Sequence, residues 1–260
     1  MRIAMGIEYN GSHYHGWQRL TDLVSVQQAL EEAVSCVANH PVTVQCAGRT
    51  DTGVHAQAQV IHFDSESLRD ERSWLLGTNA NLPKDISVIW AIKVDEDFHA
   101  RFSATARSYR YIIVNSISRP AIFQQQCSWI HYPLDHERMQ EAAQSLVGRN
   151  DFNALRASAC QAKTSIRTIE RINISRKQQY IFMDIKANAF LHHMVRNIIG
   201  VLIPIGSGER EIDWCQQVLQ SKDRKKAGVT APANGLFMVA VDYPPHFNIP
   251  TAPPLIELTI

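Results

Sequence analysis

Apolar and other residues alternate at the start of the chain, where Ile3, Met5 and Ile7 occupy every second position. A period of two is typical of a strand with one buried face, so we predict a strand over Arg2–Tyr9 that ends at Asn10-Gly11. Ser25 then begins a helix, with Gln28 three residues on as its capping-box partner. The apolar face of that helix is formed by Val26, Ala29, Leu30, Ala33, Val34 and Val37.

The rest of the first hundred residues completes a β-α-β-β-α-β order. Runs rich in β-branched and other apolar residues predict three more strands, over Val42–Cys46, Gln59–Phe63 and Ile86–Val94. A short helix is predicted over Glu71–Leu76, between the last two of these strands. This order is that of the ferredoxin-like fold.

The same order is predicted a second time in the remainder of the chain. Its strands are expected at Ser108–Val114, Ile166–Ser175, Gln179–Ala187 and Leu236–Asp242. Its helices are expected from Asp135 to about Val147 with a stop at Gly148, from about Leu191 to Ile203, and over Ile212–Leu219. The Pro-rich tail, Pro244–Pro254, predicts an extended segment.

We therefore predict an α+β protein of two ferredoxin-like halves, residues 1–104 and 105–260. Two such halves can join edge to edge into one extended, mainly antiparallel sheet with helices on one side. That arrangement leaves a cleft between the halves, where we expect the active site. A hydrophobic content of 45% and a charged content of 20% support a substantial core and argue against a disordered chain.

Charge is distributed unevenly in a chain whose formal net charge is only +1. The net charge is −6 over residues 1–100, +8 over residues 101–196 and −1 over residues 197–260. A basic middle in a nearly neutral protein suggests one face for a polyanion. Chance clustering of solvated surface charge is the alternative explanation.

Five widely spaced cysteines without a Cys-x-x-Cys pair are typical of reduced thiols and not of a disulfide framework or a zinc site. The N-terminus begins with a strand and not with a signal peptide. The longest apolar stretch, Ile198–Ile205, is interrupted by Gly200 and Pro204 and is too short to span a bilayer. We therefore expect a cytoplasmic protein that does not enter a membrane.

Candidate chemistry is concentrated in the segment Cys46–Ala56, which follows the second predicted strand. Asp51 lies two residues after Arg49, and the segment also carries two glycines and two threonines. Glycines permit tight turns and close approach to a ligand. A guanidinium near a carboxylate favours its ionised form, which can attack an electrophilic carbon. A surface loop with an incidental ion pair is the alternative interpretation.

Asp51-Thr52-Gly53 is also the tripeptide of aspartic proteases. Protease chemistry needs two carboxylates that share a proton, and a neighbouring Arg49 would oppose that sharing. A single copy of the tripeptide would require a symmetric dimer with two apposed loops. We retain a protease as the weaker enzymatic alternative.

Four motifs together give a more specific indication. Gly48–Ala56 resembles the signature loop of the tRNA pseudouridine synthase A family, whose usual form is G-R-T-D-A-G-V-H-A. The other three matching segments, in the family's order, are Tyr9–Arg19, Phe98–Tyr111 and Asn188–Asn197. Thr52 replaces the commoner alanine of that loop, and Ser108 stands where many members carry a basic residue. Neither change removes a group that the reaction needs, although the second could weaken contact with RNA.

The resemblance implies isomerisation of uridine to pseudouridine at positions 38, 39 and 40 of the anticodon stem-loop of tRNA. It implies that Asp51 in the first half is the nucleophile, acting without a cofactor or metal. In the second half it makes Tyr109 the aromatic residue that stacks on the target base, and Arg196 the partner of Asp51. Arg49 would help to flip the target nucleotide, and Leu236 would line the pocket. The family also implies a homodimer.

Each of these residues has an ordinary structural alternative. Tyr109 could be a core aromatic, as could Tyr111, and Leu236 could simply be core. Five arginines are predicted to bind RNA, and each could instead be a plain surface side chain: Arg49, Arg69, Arg101, Arg107 and Arg110.

Two further alternatives concern the whole protein and its histidines. A non-catalytic RNA-binding module would explain the basic middle, but it gives no reason for a carboxylate beside Arg49, since a carboxylate repels phosphate. The pair His192-His193 invites a metal site. We predict none, because adjacent helical residues point to different faces and no carboxylate lies at i+4 spacing.

Overall fold

The computed structural model describes residues 1–251. It confirms a mixed α+β protein and divides the chain into two units. Unit 1 comprises Met1–Thr105 and the chain from Phe237 onward, and unit 2 comprises Ala106–Leu236. The division predicted from the sequence, 1–104 and 105–260, differs in this last segment, because the final strand pairs with a strand of unit 1.

Unit 1 follows the predicted β-α-β-β-α-β order and adds the last strand of the chain. Its elements are β1 (Arg2–Tyr9), α1 (Val26–Ala38), β2 (Gln45–Cys46), β3 (His55–Asp64), α2 (Glu71–Asn81) and β4 (Ile86–Val94), with β10 (Leu236–Asp242) at the end. Strand β1 lies between β4 and β3 and is antiparallel to both. The other edge of β3 pairs with β2 near its end and, in parallel, with β10 at its beginning.

The strand predicted from the alternation is confirmed, although both of its faces are buried and not one. Ile3, Met5 and Ile7 are buried. Ile3 is paired with Phe63 of β3, and Phe63 makes an edge contact with Trp74 of α2, at 5.2 Å between ring centroids. The helices therefore cover this face of the sheet. The opposite face packs Ala4 and other small residues against Phe98 and against the chain after β10.

Helix α1 begins at the predicted cap, Ser25, and helix α2 begins at the predicted residue, Glu71, with two differences elsewhere. The Ser25 hydroxyl accepts the Gln28 amide at 3.3 Å, but the Gln28 side chain donates to Glu32 and so does not complete the capping box. Helix α2 continues to Asn81, five residues beyond the predicted end, because Thr78 is buried on its inner face. It ends two residues before Pro83, where a helix is commonly broken.

Unit 2 contains the predicted strands and helices in the predicted order, except that the last strand belongs to unit 1, and it adds two short strands. Its elements are β5 (Ala106–Asn115), β6 (Ser128–Ile130), α3 (His136–Ala143), β7 (Gly148–Asp151), β8 (Ile166–Lys177), β9 (Tyr180–Ala187), α4 (Met194–Gly206) and α5 (Trp214–Ser221). The sheet order is β5-β9-β8-β7, all antiparallel, and β6 pairs in parallel with the end of β5. Short edge strands β6 and β7 were not predicted.

Three other segments differ from the prediction. Helix α3 stops at Ala143 and continues as a 3₁₀ turn to Leu146, before Gly148 adopts a positive φ of 95° and starts β7. Helix α4 begins three residues late, because His193 is left-handed. The tail forms a 3₁₀ turn at Pro245–Phe247, and its last residues, 252–254, lie outside the described part.

No helix within residues 1–251 is long and apolar enough to cross a membrane. This is as the sequence predicts, since helix α4 contains the interrupted apolar stretch and spans only 13 residues.

Candidate functional site

The segment with the candidate nucleophile is a loop between β2 and β3, residues 47–54, which we call the Asp51 loop. The Val54 amide donates to the Asp51 carbonyl at 3.1 Å, and Gly53 has φ of 78°. A positive φ at the third position of a four-residue turn is typical of a type II turn. Position 53 is a glycine because glycine adopts that conformation without strain. Asp51 is half-buried, and Arg49 and Thr52 are exposed.

Two buried side chains of the sheet hold the Asp51 loop from below. The amide of Gln59, on β3, accepts from the Gly48 N–H at 3.3 Å and donates to the Gly48 carbonyl at 2.6 Å. The Tyr9 hydroxyl, on β1, bonds to the Thr50 hydroxyl at 2.7 Å. Burial raises the pKa of Tyr9, so this phenol remains neutral.

Two glycines bring a neighbouring segment against the same loop. A Cβ atom on Gly16, whose φ is 89°, would lie 2.8 Å from the Thr50 carbonyl oxygen, and one on Gly11 would overlap the Val54 carbonyl. The Trp17 amide donates to the Thr50 carbonyl at 3.0 Å. The motif Tyr9–Arg19 is thus a wall of the Asp51 loop, and the glycines permit backbone contact that any side chain would prevent.

The first residue of β3 ties this wall to the last strand. The Gly11 amide donates to His55 Nδ1 at 3.0 Å, so the His55 ring accepts at that nitrogen. The His55 ring is stacked on Phe237 of β10 at 4.6 Å between centroids. Strand β10 therefore supports the base of the Asp51 loop.

Two of the predicted RNA-binding arginines, Arg49 and Arg101, influence the pKa of the same thiol, that of Cys46. Burial raises the pKa of the Cys46 thiol to about 12, and the positive charges of Arg49 and Arg101 oppose that rise. Both guanidinium groups therefore lie near the start of the Asp51 loop, and both side chains are exposed. Arg69 is exposed elsewhere on unit 1, beside the carbonyl of Val37 at 3.4 Å.

In unit 2, the two tyrosines of β5 have different environments. Tyr109 is buried and makes an edge contact with Phe190 at 4.9 Å. Tyr111 is a core residue whose hydroxyl donates to the Pro232 carbonyl at 2.8 Å, and burial raises its pKa. Tyr111 thus has the core role that either tyrosine could have had. The base-stacking role of Tyr109 stays a prediction.

Arg196 lies in the first turn of α4 and is held by the segment 227–232, which we call the strap. The Arg196 Nε donates to the Ala231 carbonyl at 2.8 Å, and the Ala231 amide donates to the Arg196 carbonyl at 3.2 Å. A Cβ atom on Gly200 would overlap the Val229 carbonyl. The strap therefore lies directly on the helix backbone.

A polar network fixes the strap. Asn197 is fully buried, and its Oδ1 accepts from Thr230 at 2.7 Å and from Arg224 at 3.1 Å. The same guanidinium donates to the Gly228 carbonyl at 2.9 Å. The position of Arg196 is thus determined by residues up to 35 positions away in sequence.

The other two predicted RNA-binding arginines are engaged within unit 2. Arg107 is buried and donates to the Asn188 carbonyl at 3.1 Å. Arg110 makes a bidentate ion pair with Asp184, its neighbour on β9, at 2.7 and 2.8 Å. Their contact with RNA stays a prediction. Leu236 is buried at the start of β10, and its place in a substrate pocket likewise stays a prediction.

The geometric premise used for His192 and His193 is wrong. Both residues precede α4, and their ring centroids lie 4.0 Å apart, so they do not diverge as helical neighbours would. The absence of a metal site is therefore a prediction without that support.

Sequence reasoning missed the residues that fix the Asp51 loop, above all Gln59 and Tyr9. The sequence offers one usable signal, because Gln57 and Gln59 lie in a mostly apolar run, Val54–Phe63. The structure buries this run on both faces. Buried amides are nearly always hydrogen-bonded. A polar side chain in such a strand therefore indicates a backbone segment that it must support.

The arrangement provides a carboxylate on a loop whose backbone is immobilised from two sides. Positioning of this kind favours attack on a bound electrophile, because little motion remains to be restricted. The exposed guanidinium groups of Arg49 and Arg101 add positive charge suited to an anionic ligand.

Comparison with known proteins matches the chain to a family model described as tRNA pseudouridine synthase, over residues 5–103 and 142–244. Curated proteins called tRNA pseudouridine synthase A are similar over nearly the whole chain. One from Vibrio cholerae is 55% identical and one from Vibrio atlanticus 56%, each over 97% of this chain and 96% of the relative. One from Coxiella burnetii is 55% identical over 97% of both.

Proposed function

This chain belongs to the tRNA pseudouridine synthase family, and from that premise we propose that Asp51 is the nucleophile with which it isomerises uridine to pseudouridine in tRNA. The observation that supports this choice is the half-buried Asp51 at the turn of a loop held by Gln59, Tyr9 and Gly16. A carboxylate so positioned meets the main requirement of covalent catalysis.

The reaction keeps all atoms of the substrate. Asp51 adds either to the uracil ring or to the anomeric carbon of the ribose, the bond between N1 and that carbon breaks, and the ring turns. Carbon 5 then bonds to the sugar and the bond to Asp51 breaks. A base removes the proton of carbon 5, and N1 takes up a proton in its place. Because no electron is gained or lost and no water is consumed, the chemistry calls for neither a redox cofactor nor a hydrolytic metal.

Further roles follow from the family resemblance. Tyr109 stacks on the target base, Arg196 balances the charge of Asp51, and Leu236 contributes an apolar wall. Arg49, exposed at the Asp51 loop, helps to extrude the nucleotide from its stacked stem. The hydrogen bond that holds Arg196 Nε to the strap supports a fixed position for that guanidinium.

We infer three finer properties. The substrate region is the anticodon stem-loop, at positions 38, 39 and 40, and the enzyme acts as a homodimer. The cytoplasm is its compartment, which the five free thiols of the described chain support. Pseudouridine mapping in tRNA from a deletion strain tests the positions, and light scattering of the purified protein tests the dimer.

The central experiment compares wild type, Asp51→Asn and Thr52→Ala for tritium release from tRNA labelled at uridine carbon 5. We expect release by wild type and by Thr52→Ala, which carries the family's usual residue, and none by Asp51→Asn despite normal tRNA binding. Full turnover by Asp51→Asn would refute the assignment. Binding without release by wild type would favour a non-catalytic RNA-binding module, and pepstatin-sensitive peptide cleavage would favour a protease.

A further inference from the structure

We propose that Phe102 is a stacking platform for a nucleobase of the bound tRNA, and that Arg101 beside it contacts a neighbouring phosphate. This inference rests on the proposed function, since it concerns the same substrate. It adds a binding residue that lies outside the Asp51 loop and carries no charge.

The exposure of Phe102 is the first observation. Phe102 is 75% exposed, although phenylalanine is among the residues most often fully buried. The Arg101 guanidinium carbon lies 5.5 Å from the Phe102 ring centroid. An exposed aromatic face beside a guanidinium is the combination that single-stranded nucleic-acid sites use, because bases stack and phosphates pair.

The turn that presents Phe102 is rigid. His99 Nδ1 accepts the amides of Arg101 at 3.1 Å and Phe102 at 3.3 Å, and the His99 ring packs against the Phe102 ring at 4.3 Å. The Ser103 amide donates to the His99 carbonyl at 2.9 Å, which closes the turn. A fixed aromatic loses little conformational entropy on binding a base.

A second layer fixes His99 itself. His62, buried on β3, accepts the Ala100 amide at its Nδ1 at 3.1 Å, and its ring lies 4.5 Å from the His99 ring. Two imidazole rings in tilted contact, His62 and His99, thus support a side chain that the fold does not bury. Such support is unnecessary for an incidental surface residue, and it is what a ligand platform requires.

Charge favours RNA over a protein as the occupant. Arg49 and Arg101 both act on the Cys46 thiol, so the platform shares its neighbourhood with a guanidinium of the Asp51 loop. Glu96 and Asp97, earlier in the same segment, act on Arg2, as Asp64 does. The charged group directly beside the aromatic face is the Arg101 guanidinium, as binding of a polyanion requires.

The test measures tRNA binding of full-length Phe102→Ala, Phe102→Leu and Phe102→Tyr at fixed salt, with Leu76→Ala as an exposed apolar control in unit 1. Loss of one stacked base is expected to weaken binding roughly tenfold or more. Phe102→Leu should resemble Phe102→Ala, because an aliphatic side chain has no π face, and Phe102→Tyr and Leu76→Ala should resemble wild type.

Two further readouts keep the outcome distinct from that of the proposed function. Phe102→Ala should raise KM for tritium release and leave kcat at saturating tRNA unchanged, whereas Asp51→Asn abolishes kcat. Arg101→Gln should also reduce the salt slope of binding by about one, and Phe102→Ala should not.

Wild-type affinity of Phe102→Ala would overturn the proposal, and so would full affinity of Phe102→Leu. A change in molecular mass of Phe102→Ala by light scattering, without a loss of affinity at matched oligomeric state, would assign Phe102 to a protein interface and would also overturn it.

Discussion

The Asp51 loop and the strap are fixed in the same way at the backbone and in different ways by side chains. In both, glycines allow one backbone segment to lie directly on another: Gly11 and Gly16 against the loop, and Gly200 against the strap. The side-chain clamps of the loop are neutral, from Gln59 and Tyr9. The strap is instead clamped by the guanidinium of Arg224.

The difference shows that the loop with the reactive carboxylate and the strap that holds Arg196 are stabilised by side chains of different charge. Neutral clamps hold the Asp51 loop without adding a charge beside the carboxylate. A half-buried guanidinium gives the strap stronger hydrogen bonds, at the cost of partly desolvating a charge. Substitutions in the two regions should therefore differ in size and in pH dependence.

The largest expected effect is that of Gly200→Ala, which tests whether the strap depends on backbone contact. The new Cβ would overlap a carbonyl oxygen that cannot rotate away. We expect a loss of about 3 kcal/mol in the free energy of unfolding, measured by urea titration. The matched control is Gly77→Ala in helix α2, where the nearest atom is a movable methyl of Val37 at 3.0 Å. Equal stability of the two variants would contradict the role of the strap contact.

The next effect is that of Gln59→Leu, which removes the neutral clamp of the Asp51 loop. Both the N–H and the carbonyl of Gly48 lose their partner, so we expect a loss of about 2 kcal/mol in stability. Displacement of the loop should lower kcat of tritium release roughly a hundredfold. Gln28→Leu, on the exposed side of α1, serves as the control. Unchanged kcat in Gln59→Leu would show that the loop holds its shape without the clamp.

A fall in pH should destabilise unit 1, which carries the Asp51 loop, more than it destabilises the strap. Burial, with the nearby positive charges of His99 and Arg2, lowers the pKa of His62 to about 4. The unfolded chain takes up this proton near pH 6.5, so the stabilisation is complete above that pH and is lost as the pH falls towards 4. We expect unit 1 to lose on the order of 2 kcal/mol in that window. The strap should be less affected, because the side chains described as fixing it, Arg224, Asn197 and Thr230, include no histidine.

Hydrogen exchange between pH 7 and 4.5 measures this difference, with faster opening expected at residues 98–103 than at 227–232. His62→Gln should flatten the pH dependence of unfolding, and His13→Gln, at an exposed histidine, should not. Equal acid sensitivity of wild type and His62→Gln would assign the effect to another group.

The smallest expected effect is that of Tyr9→Phe, which removes one hydrogen bond to Thr50. We expect a loss of about 1 kcal/mol in the free energy of unfolding and a severalfold fall in kcat. A double-mutant cycle with Thr50→Val isolates this bond, because the second substitution should add little to the first. Full additivity would mean that the two hydroxyls stabilise the loop independently.

Much of the fold was predictable because its signals are local. Strands β1, β4 and β10 have the predicted bounds, since period-two alternation and β-branched content reside in consecutive residues. Helix α2 was predicted too short, because Gly77, Asn79 and Asn81 are poor helix formers. Its last turns depend on tertiary contacts, such as the hydrogen bonds of the Asn79 amide with the N–H and carbonyl of Val88 on β4. Strands β6 and β7 were missed because segments of three and four residues carry too little pattern.

The residues of the candidate site likewise divide into those that local sequence signals indicate and those that only tertiary contacts reveal. The glycines, Arg49 and Asp51 are visible in one short motif, because a tight turn near a carboxylate needs particular residues at adjacent positions. Gln59 was visible only as a polar side chain in a mostly apolar strand, without its partner Gly48. Tyr111 as an anchor of the strap and Phe102 on its two imidazoles could not be read from the sequence. Each depends on which segments meet in space.

By itself, therefore, the sequence determined the α+β class, the principal strands and helices, the family, and the loop that carries Asp51. Only the tertiary structure decided that the last strand pairs in parallel with β3, that Gln59 and Tyr9 support the Asp51 loop, and that the strap holds Arg196. The physical reason is that periodicity and turn chemistry act between neighbours in sequence. Hydrogen bonds and close backbone contacts act between segments that folding alone brings together.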